Sequence, residues 1–312
     1  MASRQSSLKP RFNDIDLTNI FRLEMSVSQS RRLMSSQPTI DNDCEMSGYT
    51  EAARPFHVGA GKNAVLLVHG FMGSPYGLRE FGEHLASRGF RVYAPLLPGH
   101  GTSKEDMIRT GRADWIREAE AGLKMLQEEA PEHLFVSGHS MGGTLTLYLG
   151  ATHPEVDALA PICGPLYLTD WRLRFLLPIF KPFFKYSPLG EEPPDILDRR
   201  VLEDPVVKES RRRYDRPAIP CVTELLTLIH ETREKLSEVR QPILVIQARK
   251  DGVVPPGNAE HIFQHVASTE KRILWLENSA HAATMDFEKQ TLFKEAAEFF
   301  HSLTIDRRRS MT

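Results

Sequence analysis

A serine, an aspartate and a histidine in this chain are of the types that acyl transfer needs. Ser140 stands in Gly138-His139-Ser140-Met141-Gly142, a G-x-S-x-G pentapeptide. Leu134-Phe135-Val136-Ser137 before it reads as a buried strand, and 143–149 after it as a helix. A strand that turns sharply into a helix holds one side chain clear of the backbone at the mouth of a sheet, and flanking glycines let neighbouring backbones pass closely. A serine hydroxyl is a weak nucleophile until a base takes its proton, and the base needs an orienting acid. Asp251, in the turn Arg249-Lys250-Asp251-Gly252 after a strand at 243–247, is the expected acid. His281, in Asn278-Ser279-Ala280-His281, is the expected base; of twelve histidines it alone sits in a loop directly after the last strand. Asp286 and Glu277 are weaker alternatives to Asp251. Asp286 reads as the cap of the last helix, and Glu277 ends its strand too close to the histidine in sequence.

Acyl transfer also needs donors for the tetrahedral oxyanion, and backbone N–H groups do this without reorganising. The Met141 N–H, at a helix N-terminus, is one candidate. The Phe71 N–H is the second, in the loop His69-Gly70-Phe71-Met72-Gly73, where two glycines allow a tight fold. His69 reads as structural, holding that loop by hydrogen bonds.

These residues need a scaffold, and the pattern around them alternates strands with helices. Ala64-Val65-Leu66-Leu67-Val68 is a continuous apolar run, as expected of a parallel strand covered on both faces. Ser74-Pro75 opens a helix that Gly89 stops. A strand at 90–95, a helix marked by Trp115, Ala119, Gly122 and Leu126, and a strand at 157–163 weakened by Pro161 follow. The series resumes with strands at 242–248 and 272–276, a helix at 258–266 and a final amphipathic helix at 286–303. Such alternation predicts a doubly wound, mostly parallel sheet, with ligands beyond the carboxyl ends of its strands. The core spans 51–164 and 238–305. Residues 165–237, rich in proline and arginine, read as an inserted helical cap. Residues 1–50 read as a disordered extension and 306–312 as a solvated basic tail.

Bulk properties exclude several classes. A formal net charge of −2 implies neither nucleic acid nor a membrane surface as partner. No apolar run reaches the roughly 20 residues that span a bilayer, and the N-terminus builds no secretory apolar core. Cys44, Cys163 and Cys221 lack metal-ligand spacing and read as reduced thiols of a cytoplasmic protein, Cys163 as a buried one.

The chain resembles the α/β-hydrolase superfamily, and within it the bacterial carboxylesterase and monoacylglycerol lipase group. The residues that carry the likeness are Ala64–Gly73 as AVLLVHGFMG, Leu97-Pro-Gly-His-Gly101, Gly138-His-Ser-Met-Gly-Gly143, Gln247-Ala-Arg-Lys-Asp251, Ser279-Ala-His281 and the block Thr110-Gly-Arg-Ala-Asp-Trp115. The match covers about 54–304, in the Ser…Asp…His order of this fold. It implies a sheet that begins near the His-Gly loop and a two-step serine mechanism without cofactor on a small ester. Short-to-medium acyl esters are the expected substrates. Monoacylglycerols are the alternative, with Trp171, Phe175, Phe180 and Phe183 as possible lining of an acyl tunnel. A non-catalytic binding protein on this fold is a distant third reading, disfavoured by the intact triad. Monomer and homodimer stay open.

Overall fold

The computed structural model describes residues 50–168, 186 and 196–310, of which 305–310 by backbone only. The extension expected over 1–50 lies outside these residues except for Thr50, which opens a helical turn at 50–52. The proposed tunnel residues Trp171, Phe175, Phe180 and Phe183 lie outside them as well.

In chain order the strands and helices are β1 (Phe56–Val58), β2 (Asn63–Val68), α1 (Arg79–Ser87), β3 (Phe90–Ala94), α2 (Lys104–Met107), α3 (Arg112–Glu128), β4 (His133–His139), α4 (Met141–Thr152) and β5 (Ala158–Ile162). After β5 come α5 (Arg199–Leu202), α6 (Pro205–Arg213), α7 (Ile219–Glu234), β6 (Ile243–Ala248), α8 (Gly257–His265), β7 (Lys271–Leu276) and α9 (Lys289–Ser310). The strands form one sheet of seven in the order β1-β3-β2-β4-β5-β6-β7. All neighbours run parallel except β1, which pairs antiparallel with β3.

Strand β2 shows why the apolar run had to be continuous. Successive side chains point to opposite faces, and both faces are covered. Val65 and Leu67 pack with Phe81, Phe135, Phe293 and Phe300 from α1, β4 and α9. Ala64, Leu66 and Val68 pack with Trp115, Leu145 and Ile262 from α3, α4 and α8. The rings of Phe135 and Phe300 stack with centroids 4.7 Å apart, and a fully buried Phe of this kind contributes about 2–3 kcal/mol.

Three details depart from the sequence reading, and a fourth, Pro161 inside β5, agrees with it. The sheet begins one strand before the His-Gly loop; β1 is only three residues long, with Phe56 alone buried, so no alternation marks it. The helix at Ser74-Pro75 opens as a 3-10 turn over Pro75–Leu78, and the Ser74 side chain makes no capping bond. Asp286 does not cap the last helix, which starts at Lys289 and runs to Ser310, through the segment read as a tail. Pro161 does lie within a central strand. Leu159 and Cys163 on either side of it donate to Pro242 O and Ile246 O, so one bond of the β5–β6 ladder is missing at Pro161, which has no N–H.

The segment between β5 and β6 is tied to the rest by polar links. Tyr76 donates to Asp204 at 2.7 Å, Arg112 pairs with Glu224 and Glu231, and Tyr214 Oη bridges Thr102 N and Gly99 O. Helix α7 also contributes Cys221, Leu225, Leu228 and Ile229 to the apolar layer that covers the sheet.

Candidate active site

Ser140 connects β4 to α4 with φ 56° and ψ −120°, a conformation that L-residues seldom adopt and that costs on the order of 1–3 kcal/mol. The surrounding backbone imposes it. The Ser140 N–H donates to Ile162 O at 2.9 Å, and its carbonyl accepts from Thr144 N at 3.1 Å. Strand and helix meet so closely that a Cβ on Gly138 would lie 2.4 Å from Gly142 O, and one on Gly142 1.9 Å from Val68 O. Only glycine fits at either position, so the pentapeptide is a packing requirement as well as a motif.

The hydroxyl so displayed meets the two partners expected from the sequence. His281 Nε2 lies 2.8 Å from Ser140 Oγ, and His281 Nδ1 lies 2.9 Å from Asp251 Oδ2. The Asp251 side chain is fully buried, and that of His281 is 10% exposed. Asp251 is itself held: Oδ1 accepts from Val253 N at 2.9 Å and Val254 N at 2.8 Å, and Gln247 Nε2 donates to Oδ2 at 3.2 Å. Three loops after three strands thus bring a serine, a histidine and an aspartate into one hydrogen-bonded line at the carboxyl edge of the sheet.

Comparison with known proteins assigns the chain to a family. Residues 59–288 match the Hydrolase_4 family, described as serine aminopeptidase, S33. The chain belongs to this α/β-hydrolase family. Relatives that match along most of both chains are named for ester hydrolysis. A thermostable monoacylglycerol lipase of Bacillus sp. (strain H-257) is 38% identical over 80% of this chain and 94% of its own. A carboxylesterase of Bacillus subtilis (strain 168) is 29% identical over 80% and 97%. A solved chain from work on LipS and LipT, two metagenome-derived lipolytic enzymes, superposes with a TM-score of 0.71 at 32% identity, covering 80% of this chain and 98% of that one. This hydrolase is accordingly a carboxylic ester hydrolase.

Around the triad the hydrolase has supports that the sequence did not single out. Asp286, buried and set aside as a cap, accepts from Ala280 N at 2.7 Å and from Leu197 N and Asp198 N at 3.1 and 2.9 Å. It joins the His281 loop to the segment before α5. Glu288 accepts from Asn278 N at 2.6 Å and Ser279 Oγ at 3.0 Å. Glu277 points away, exposed and paired with Arg249. His139, the variable residue of the pentapeptide before Ser140, donates from Nε2 to His281 O at 2.7 Å.

The loop expected to supply the second oxyanion donor lies against the nucleophile: a Cβ on Gly70 would come 3.1 Å from Ser140 Cβ. His69 holds it, as expected. Leu97 N donates to His69 Nε2 at 3.0 Å, which leaves the proton on Nδ1 to bond Gly70 O at 2.9 Å. The Phe71 ring meets Trp115 and His100 edge-on. Met141, next to Ser140, is fully buried as the first residue of α4.

Burial sets the charge states here. It pushes His100 down to about 4, against hydrogen bonds to Pro98 and Leu97, and it drives His69 well below the usual histidine range, helped by neighbouring His100. Both rings are neutral at pH 7. Burial pushes the Asp251 carboxyl up, but the His281 ring and the Val254 and Val253 N–H bonds outweigh it and hold the group below its ordinary value. Asp251 is therefore ionised beside His281, the state that an orienting carboxylate would need. Cys163 is buried, as expected from its apolar run, close behind the pair.

Proposed function

We propose that Ser140, His281 and Asp251 hydrolyse carboxylic esters through an acyl-enzyme. The observation that carries this reading is the line Ser140 Oγ–His281–Asp251, with hydrogen bonds of 2.8 and 2.9 Å. Ser140 Oγ attacks the ester carbonyl as His281 Nε2 takes its proton. The oxyanion forms against the N–H groups of Phe71 and Met141, each worth roughly 3 kcal/mol to the transition state. The tetrahedral intermediate collapses, and the alcohol leaves with the proton from His281. Water, deprotonated by His281, then cleaves the acyl-enzyme and restores Ser140. Asp251 keeps the imidazole in the tautomer that accepts at Nε2 and stabilises the imidazolium that forms. Residues 165–237 act as a cap that selects the acyl group.

The sequence reading favours short-to-medium acyl esters. Monoacylglycerols are the second reading, favoured by the 38% identity to the Bacillus monoacylglycerol lipase against 29% to the carboxylesterase. A fluorophosphonate probe should label the wild type and not Ser140→Ala, which should lose several orders of magnitude in kcat while remaining folded. An active Ser140→Ala overturns the assignment. A chain-length series of p-nitrophenyl esters, run beside monoacylglycerols, separates the two substrate classes.

A further inference from the structure

Directly behind the His281–Asp251 pair lies a thiol that the reaction above does not use. Cys163 is the first residue after β5, with φ 46° and no exposure. Its N–H donates to Ile246 O at 2.8 Å, which fixes it beside the end of β6. Its Sγ, a carboxylate oxygen of Asp251 and a ring nitrogen of His281 all lie within 4.8 Å of one another. Among the described residues no other three His, Cys, Asp or Glu side chains converge in this way.

Thiolate, imidazole and carboxylate are a donor set for zinc and its heavier, more thiophilic relatives. Bond lengths of about 2.0–2.3 Å put tetrahedral ligand atoms roughly 3.3–3.6 Å apart. The three atoms, within 4.8 Å of one another, need to close by roughly 1.2–1.5 Å at most to hold such an ion. We propose that Cys163, Asp251 and His281 Nδ1 form an inhibitory site for a thiophilic divalent cation, Zn2+ or Cd2+. Its effect on activity rests on the serine mechanism proposed above; the binding itself does not.

The chemistry of inhibition follows from the tautomer. A cation on Nδ1 displaces the proton that Nδ1 shares with Asp251, and the neutral imidazole then carries it on Nε2. An Nε2–H facing Ser140 Oγ donates where the mechanism needs an acceptor, so Ser140 keeps its proton. The thiol proton leaves to solvent, one per ion bound, and nothing is oxidised or reduced. Because the thiol is enclosed, entry waits on local opening and inhibition develops slowly.

The test uses the full-length protein with Zn2+ or Cd2+ chloride. Calorimetry in buffers of differing ionisation enthalpy should give one ion bound and one proton released. Ester hydrolysis should fall over minutes and recover with EDTA, and Cd2+ should produce the ultraviolet band of a cadmium–thiolate bond. The double variant Cys44→Ala, Cys221→Ala leaves Cys163 as the sole thiol and should keep both the band and the inhibition. Cys163→Ala and Cys163→Ser should retain basal activity, lose the band and be inhibited at least about tenfold more weakly, the scale on which a metal site responds to a lost partner. Undiminished inhibition of either Cys163 variant, or no band in the double variant, overturns the proposal. The band in Ser140→Ala protein tests the site independently of the serine mechanism: if Ser140→Ala stays active and the band persists, the mechanism falls and the metal site stands.

Discussion

His139 Nε2 and the main-chain carbonyl of His281 share a hydrogen bond of 2.7 Å, with the two rings 5.0 Å apart. The residue before Ser140 thus holds the His281 loop, so that one contact ties the positions of the two together. His139→Phe keeps the ring and removes the donor. A net hydrogen bond of roughly 1 kcal/mol predicts a fall in kcat of about fivefold to tenfold. KM should hold within about twofold if the loss falls on the chemical step. His139→Gln, which restores a donor, should recover part of the rate. Steady-state kinetics, with Tm measured alongside, distinguish this from a general loss of stability.

Asp251 and Glu277 compete on paper for the role of acid, and their surroundings separate them. Asp251→Asn replaces a carboxylate that accepts the Nδ1 proton by an amide that can turn a donor toward it, favouring the wrong tautomer. The expected loss in kcat is about four orders of magnitude, the scale of the same change in other serine triads. Glu277 is 65% exposed on its side chain and pairs with Arg249. Glu277→Gln should leave kcat/KM within about twofold of wild type on a p-nitrophenyl ester. A severe effect of Glu277→Gln, with a mild one for Asp251→Asn, would reverse the assignment.

Asp286 is 1% exposed and gathers main-chain N–H groups from two segments. Asp286→Ala strands these donors in a dry environment, at about 1–3 kcal/mol each where water cannot enter. The variant should unfold at a urea concentration well below that of wild type. What remains folded should also hydrolyse esters more slowly, because Ala280 N, next to the base, loses its anchor. Asp286→Asn keeps one acceptor oxygen and should fall between the two. Equal stability of all three proteins would show that Asp286 is not the link between the 196–198 segment and the His281 loop.

The convergence of Ser140, Asp251 and His281 was legible because each follows a strand whose apolar run is visible, and because the pentapeptide needs glycine wherever Val68 O and Gly142 O approach. Three kinds of feature were not. Strand β1 is too short for a period, and its antiparallel pairing with β3 is long-range. The 3-10 turn at Pro75–Leu78 differs from an α-turn by bonds that composition does not encode. The roles of Asp286, Glu288 and His139 depend on which N–H or carbonyl lies opposite them, and no spacing along the chain fixes that. Asp286 looked like a helix cap because an aspartate shortly before an amphipathic helix usually is one. Here the turn at 286–288 delays the helix to Lys289 and frees the carboxylate to point inward. His139 stood inside the motif itself, and its polar side chain next to a strained serine was the one clue available.

His100 makes the fold sensitive to acid in a defined window. Its ring is buried among Phe71, Trp115 and His69. Nδ1 donates to Pro98 O at 3.1 Å, and Nε2 is buried without a hydrogen-bond partner among the described residues. The folded state therefore resists protonation until about pH 4, while the unfolded chain takes up the proton near the ordinary value of 6.5. Between those values unfolding binds a proton that folding excludes, so stability is full above about pH 6.5, declines as pH falls and levels off below about 4. The group alone accounts for a loss of about 3 kcal/mol over the window. His69, displaced the same way, adds to it. His100→Asn keeps a donor for Pro98 O and cannot titrate. It should be less stable than wild type at pH 7.5, because ring contacts are lost, yet its stability should fall less steeply between pH 6.5 and 4. Urea unfolding at several pH values measures both slopes. Parallel slopes for the two proteins would mean that His100 is protonated in the folded state and that the acid sensitivity arises elsewhere.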